Sequence, residues 1–422
     1  MSRPLSRYSF RSLAWTTGAL TLLVACRDTP AVVPEADTGP LVANSTGLRI
    51  VEDSAPAWGT TPQWIVADSP TVDLGDPEQP FVGVAPVVRL ADGRIVVADG
   101  SQQTIRYFSA AGKLLTTAGG RGTEPGQFHG LGWIGRGAAD TVVAYDFIAR
   151  RFVLFDGKGQ FVRVASLLPA DPKIAAEPLT AYPDGSVLFR LGEPANPFPG
   201  KPGTIRRDSA AYMRFGLDGL PREALGQFPQ GETWGVPVRP QGPPSPFPVP
   251  FGLVTVAALR ADTMIIGTGA NFEVASIGPD GTPIGLLRAP IAREAVTPEE
   301  SKEYTVAAIT RLRTGAKSLN TSLDSGLIRS LEKAPFPAQK PAYGRMLVDR
   351  TGALWLSAPL NPPASASTWN VFAPDGTWLG SVTTPEGLRV DEIGADYVLG
   401  VWRQRHGQER VRMYPLTRGS GS

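Results

Sequence analysis

Six short stretches each set a tight turn directly before a β-branched or large apolar run, and that recurrence leaves few folds open. They are Ala91–Val97, Ala139–Val143, Pro183–Leu188, Ala261–Ile266, Thr351–Leu356 and Ala395–Leu399. Asp-Gly, as at 92–93 and 184–185, allows the positive φ of a two-residue hairpin turn, and the run after it reads as a strand. The turns sit at 92, 140, 184, 262, 352 and 396, so neighbours are 48, 44, 78, 90 and 44 residues apart. The three shorter spacings match one four-stranded antiparallel unit. The 78- and 90-residue gaps then hold insertions.

A second turn follows inside most units, at Ala111-Gly112, Asp156-Gly157, Asp218-Gly219, Asp280-Gly281 and Asp375-Gly376. Each unit therefore reads strand, turn, strand, loop, strand, turn, strand. Six such units predict an all-β fold, a six-bladed β-propeller. The last unit has only three strands before the chain ends, and natural sheets avoid an unpaired edge. Pro70–Gly75 is expected to supply the missing strand and close the ring onto the C-terminus.

Residues 85–165 carry the best-kept copies. Leu90–Asp99, Ile105–Phe108 and Gly112, followed by Gly119–Phe128, resemble an NHL-type repeat and the linker between two NHL blades. Val142–Asp146 and Phe152–Asp156 repeat the pattern. The resemblance implies a six-bladed NHL-like propeller of the kind found on bacterial cell surfaces, and a habit of binding. A fold alone does not fix a function.

The first residues read differently. Arg3, Arg7 and Arg11 precede an uncharged apolar stretch from Leu13 to Ala25, too short to span a bilayer and suited to a signal-peptide core. It ends Leu23-Val24-Ala25-Cys26, which resembles a bacterial lipoprotein signal. Cys26, the only cysteine, is the expected lipidation site, and acyl chains there would anchor the protein to a membrane. The expected organisation is a signal peptide over 1–25, a flexible tether over 26–46 and the propeller over 47–422. The resemblance places the chain in the cell envelope, with the outer membrane, facing periplasm or surface, preferred because Arg27 rather than Asp follows the cysteine.

Removing the 25 leader residues from 422 leaves 397, enough for one large all-β domain. The 41 basic and 39 acidic residues nearly cancel, which argues against a nucleic-acid surface. A monomer is expected. One helical insertion is predicted over 297–334: Thr297 as N-cap, Pro298 at the first helical position and Glu300 completing a capping box. A second short helix is predicted from Asp324 to Lys333, stopped by Pro335. This insertion reads either as a lid over one face of the ring or as a packing element that covers an exposed sheet edge or groove. The insertions Gly192–Arg207 and Gly226–Pro250 are proline-rich and read as rigid surface loops.

Chemistry is sparse. The two histidines, His129 and His406, fall in loops, and no His-Glu-x-x-His, Cys/His cluster or Gly-x-Ser-x-Gly elbow occurs. Asp99 and Asp146 are expected to cap turns. No catalytic residue is assigned and no cofactor is expected, although carboxylates alone could hold Ca²⁺. Candidate ligand contacts are the basic and aromatic residues at blade connections: Arg121, Phe128, His129, Arg150, Trp234, Tyr343, Arg345 and Arg403. The expected function is non-catalytic binding of a protein, peptide or glycan through the loop face. The alternative is an exported hydrolase or lyase with a metal-dependent site in the central channel.

Overall fold

The structure is a computed structural model that describes residues 40–45, 47–75, 81–168, 174–192, 198–238, 242–318, 325–359, 367–403 and 408–419. The expected signal peptide, Cys26 and most of the expected tether lie outside the described residues, as does His406. Among the described residues, no helix is long and apolar enough to cross a membrane.

All six turn signatures lead into strands: Ile95–Asp99, Val142–Asp146, Val187–Gly192, Thr263–Gly267, Leu354–Ser357 and Tyr397–Arg403. Three of the six are three-residue loops, whereas Ala261-Asp262, with Arg260 paired to Thr263, and Ala395-Asp396, with Gly394 N–H donating to the Tyr397 carbonyl, are of the two-residue kind. Leu90 N–H donates to the Arg94 carbonyl and Gly93 N–H to the Leu90 carbonyl, with Gly93 at φ +89°. That is a type I turn closed by one left-handed residue, where glycine fits without strain. Tyr182–Ser186 and Asp349–Ala353 repeat the bond pair, and so do the second turns at Ser109–Lys113 and Asp156–Gln160. The left-handed residue of that last turn is Gly159, not Gly157.

Each signature strand belongs to an antiparallel sheet. Sheet I contains Val88–Arg89, Ile95–Asp99, Thr104–Phe108 and Leu114–Gly119, and sheet II Leu131–Arg136, Val142–Asp146, Arg151–Phe155 and Phe161–Ser166. Sheet III contains Ala175–Ala181, Val187–Gly192, Ser209–Phe215 and Pro221–Pro229. Sheet IV begins Val256–Arg260, Thr263–Gly267, Glu273–Ile277 and Pro283–Arg288. Sheet V contains Met346–Val348, Leu354–Ser357, Ser367–Phe372 and Trp378–Thr384. Sheet VI contains Leu388–Ile393, Tyr397–Arg403 and Glu409–Thr417. The first strands of successive sheets touch, I to II, II to III and so on to VI, and that of VI touches that of I. Four-stranded meanders packed side by side in this way are the β-propeller architecture. Between the sheets lie buried apolar layers, such as Val96, Ile105, Tyr107, Ile134, Val142 and Val153 between I and II.

The N-terminal segments join distant sheets. Val72–Leu74 pairs antiparallel with Val411–Met413 of sheet VI, and Ile65–Val66 pairs with Leu416–Thr417. Leu48–Glu52 adds parallel to Pro283–Arg288 of sheet IV, and Leu41–Ser45 pairs with it across a turn at Gly47, φ +83°. Residues 41–45 are therefore a strand and not tether. Val51 explains the docking, since its side chain is buried.

The proline-rich insertions also depart from expectation. Ile205–Arg206, Thr233–Val236 and Ser245–Pro248 form a three-stranded antiparallel sheet. Pro246 and Pro248 are tolerated because their strand is an edge. Helix α1 (Pro298–Ser318) begins with the capping box: Glu300 N–H donates to Thr297 Oγ1 at 3.1 Å, and Thr297 N–H to Glu300 Oε2 at 3.0 Å. Helix α2 spans Ser325–Glu332. Ile309 of α1 and Leu327 and Leu331 of α2 bury Trp234, Val236 and Val249, so the two insertions share one core.

The seam between sheets VI and I rests on side chains. Glu409 Oε2 accepts from Val84 N–H at 2.7 Å, and its other oxygen pairs with Arg403 at 2.7 Å. Glu409→Ala should cost about 2 kcal/mol by leaving that amide unpartnered, and Glu409→Gln less. Urea unfolding of both variants checks this; equal losses would show that the acceptor at this position does not matter.

Candidate functional site

Strand direction puts the tight turns at one end of every sheet and the longer loops at the other. All eight sequence candidates fall at the loop end. Burial then divides them.

Contrary to the expectation that they contact a ligand, Phe128, Trp234 and Tyr343 are buried core residues. The Phe128 ring is fully buried, 6.1 Å from that of Phe155, and a Cβ on Gly119 would lie 2.7 Å from it. Trp234 lies under the helices. Tyr343 is enclosed with Phe272; its hydroxyl donates to the Glu273 carbonyl at 2.8 Å and accepts from Gly269 N–H at 3.3 Å. Burial pushes that hydroxyl up to about 12. In each case an aromatic anchors an inter-sheet connection by filling the groove below it.

The other five reach the surface. Arg121 is exposed and donates to the Ser101 carbonyl at 3.3 Å. His129 is exposed. Arg150, at φ +51°, donates to the Ile174 carbonyl at 2.6 Å. Arg403 pairs with Glu409, and Arg345, directly before the first strand of sheet V, lies 3.7 Å from Asp391.

Sheets I and II share a scaffold at this end. Asp99 is buried and accepts from Ser101 N–H, Gln102 N–H and the Ser101 hydroxyl. Asp146 is its counterpart, accepting from His129, Gly130, Ile148 and Ala149 N–H at 2.9, 3.0, 3.2 and 3.0 Å. Both aspartates cap turns, and neither faces solvent. Buried carboxylates are tolerated when their lone pairs are filled this way.

What the two loops display differs. After Asp99 come Gly100, Ser101 and Gln102; after Asp146 come Phe147 and Ile148, which are 56% and 61% exposed. The Phe147 ring rests on the backbone of the sheet's first strand. A Cβ on Gly130 would lie 2.8 Å from both Phe147 and Ile148, and one on Gly132 would lie 2.9 Å from Phe147. Two glycines and one carboxylate therefore hold two large apolar side chains out in water, beside His129. The sequence reading passed over them, although the contrast with the polar Asp99 loop was there to read.

Among the described residues, no group of three or more His, Cys, Asp or Glu stands close enough to hold a metal ion. A small open cleft of about 220 Å³ lies elsewhere, between sheets IV and V, lined by Arg49, Val51, Arg260, Thr263, Pro374 and Gly376 among others. None of the eight candidates lines it.

No family model matches the chain, and no curated protein does. Solved structures are similar in outline. One is a protein described as exported, from Bacteroides fragilis, 10% identical, with 88% of this chain and 100% of that one covered and a TM-score of 0.46. Another, a DUF4221-family member from Bacteroides vulgatus, is 9% identical, with 84% and 98% covered and a TM-score of 0.47. Virginiamycin B lyase from Staphylococcus aureus is 12% identical, with 84% and 99% covered and a TM-score of 0.40. All three are distant, and the functional reading rests on this chain's own residues.

Core and display residues should separate on substitution. Trp234→Ala should cost about 3–5 kcal/mol, whereas Phe147→Ser should stay within about 0.5 kcal/mol of the parent. Thermal and urea unfolding of the pair decide it, and a large loss at Phe147 would make that ring structural.

Proposed function

We propose that this chain is an exported, lipid-anchored propeller of six NHL-like blades, closed by its N-terminal strands, that binds a protein, peptide or glycan through its loop end without catalysis. The observation that carries the reading is the rigid display of Phe147 and Ile148. Single exposed apolar residues are ordinary on protein surfaces. Here two adjacent ones are fixed by a buried carboxylate and propped on glycines, which pre-organises them and lowers the entropic cost of binding. His129, directly before Gly130, and Arg150, at the end of the same loop, add polar and charged groups at the rim, the usual composition of a recognition patch. Loops on a rigid scaffold are where binding residues concentrate.

Anchorage is assigned to Cys26, with residues 27–40 as tether and the outer membrane, facing periplasm or surface, as location. The ring works as a monomer and needs no cofactor. Cys26→Ser should move the protein from the membrane fraction to the soluble fraction of the envelope; unchanged membrane association would end the lipoprotein reading.

The binding reading is tested by crosslinking and affinity capture from envelope membranes. The parent should recover one near-stoichiometric partner, and Phe147→Ser with Ile148→Ser should lose it while melting at the same temperature. Recovery undiminished by the double substitution would overturn the assignment of the site.

A further inference from the structure

The first strands of successive sheets touch and form an inner wall, on and beside which arginines pair with carboxylates. Arg136 pairs with Asp140 at 2.9 Å, and Arg350 with Glu392 at 2.7 Å. Arg389 holds Asp391 by two bonds, Nε to Oδ1 at 2.9 Å and Nη2 to Oδ2 at 2.8 Å. It also donates to the carbonyls of Val84 and Ala85, both at 3.1 Å. Arg345 shares Asp391 from 3.7 Å, beyond hydrogen-bond distance. Of these four arginines, Arg345 is the one that shares its carboxylate with a more closely held neighbour, Arg389.

Arg345 is also built to be used. Its backbone is clamped on both sides, since its N–H donates to Ser357 Oγ at 2.9 Å and its carbonyl accepts from Ser357 N–H at 2.9 Å. Its side chain remains 27% exposed, so a solute can reach it. Burial pulls the guanidinium below its ordinary value, and Asp391 restores only part of that. A partly buried cation that shares its carboxylate with a second arginine is a place where an added anion is favoured.

We propose that Arg345 is the main contact of an oxyanion site on the inner wall, where the carboxylate or phosphate group of a small ligand supplements the carboxylate that Arg345 shares with Arg389. The planar guanidinium fork suits both groups, binding two oxygens at once. Arg389 stays committed to Asp391 and sets the far edge of the site. This site is independent of the apolar pair on sheet II and stands or falls without it.

The test uses the full chain in detergent, titrated with inorganic phosphate and, separately, with succinate, against chloride at constant ionic strength. Calorimetry and melting temperature are the readouts. Saturable binding of either anion is expected in the parent. Arg345→Gln should weaken it about tenfold or more, the usual loss for a charged hydrogen bond, and Arg345→Lys should fall between. Phosphate alone binding would mark a phosphate-bearing ligand, and succinate alone a carboxylate. No saturable binding in the parent, or equal affinity in Arg345→Gln and Arg345→Lys, overturns the proposal.

Discussion

The fold depends on carboxylates of sheet VI that bond the backbone leading into sheet I. The first strand of sheet I is only Val88–Arg89, so the segment before it has almost no ladder of its own. Its buried amides still need acceptors. Glu409 takes Val84 N–H, Asp391 takes Val87 N–H at 3.3 Å and Glu392 takes Arg89 N–H at 3.0 Å. Arg389 satisfies two of the carbonyls. Each acid also meets an arginine: Arg403, Arg389 and Arg350 in turn. These bonds join residues more than 300 positions apart, and such long closures are slow to form. Side-chain caps suit that task better than a ladder, because each is made singly and none requires a long strand in register.

The same device recurs wherever a connection is buried. Asp53 accepts from Trp378 N–H at 2.7 Å, fixing the segment after the N-terminal hairpin onto sheet V. Asp349 accepts from Thr351 and Ala353 N–H and from Trp355 Nε1, and pairs with Arg418. Asp146 does this in the loop that presents Phe147 and Ile148. Scaffold and display are therefore separate: the aspartate sets the loop's path, and the residues after it are free to vary, as the polar loop after Asp99 demonstrates.

That separation explains what could be read in advance. The six turns were legible because their signal is local, a left-handed glycine or its substitute ahead of a β-forming run. The capping box at Thr297 was legible for the same reason. The strands at Leu41–Ser45 and Ser245–Pro248 were not, since their partners lie far away or carry prolines that point to a loop. Among the site candidates, an aromatic that anchors a connection and one that meets a ligand look identical in sequence. Trp234 and Tyr343 became core because insertions and neighbouring sheets cover them, which only the fold decides. Phe147 stays exposed because Gly130 and Gly132 leave a shelf for its ring but no pocket.

The helical insertion is a packing element. Helices α1 and α2 pack on the small sheet built from the earlier insertions, and the three share one apolar core. Lys340 secures the arrangement. Its ammonium is almost fully buried between Glu294, at 2.9 Å, and Glu300, at 2.6 Å. Burial alone would lower that ammonium, but its hydrogen bonds to Glu300 and Glu294 more than offset this and raise it. Glu300 is at the same time the reciprocal acceptor of the capping box, so one carboxylate fixes both the start of α1 and its place against the segment that enters sheet V. Two insertions separated by a whole blade thus form one packed unit. Each supplies the apolar surface that the other lacks, and neither could bury Trp234 alone.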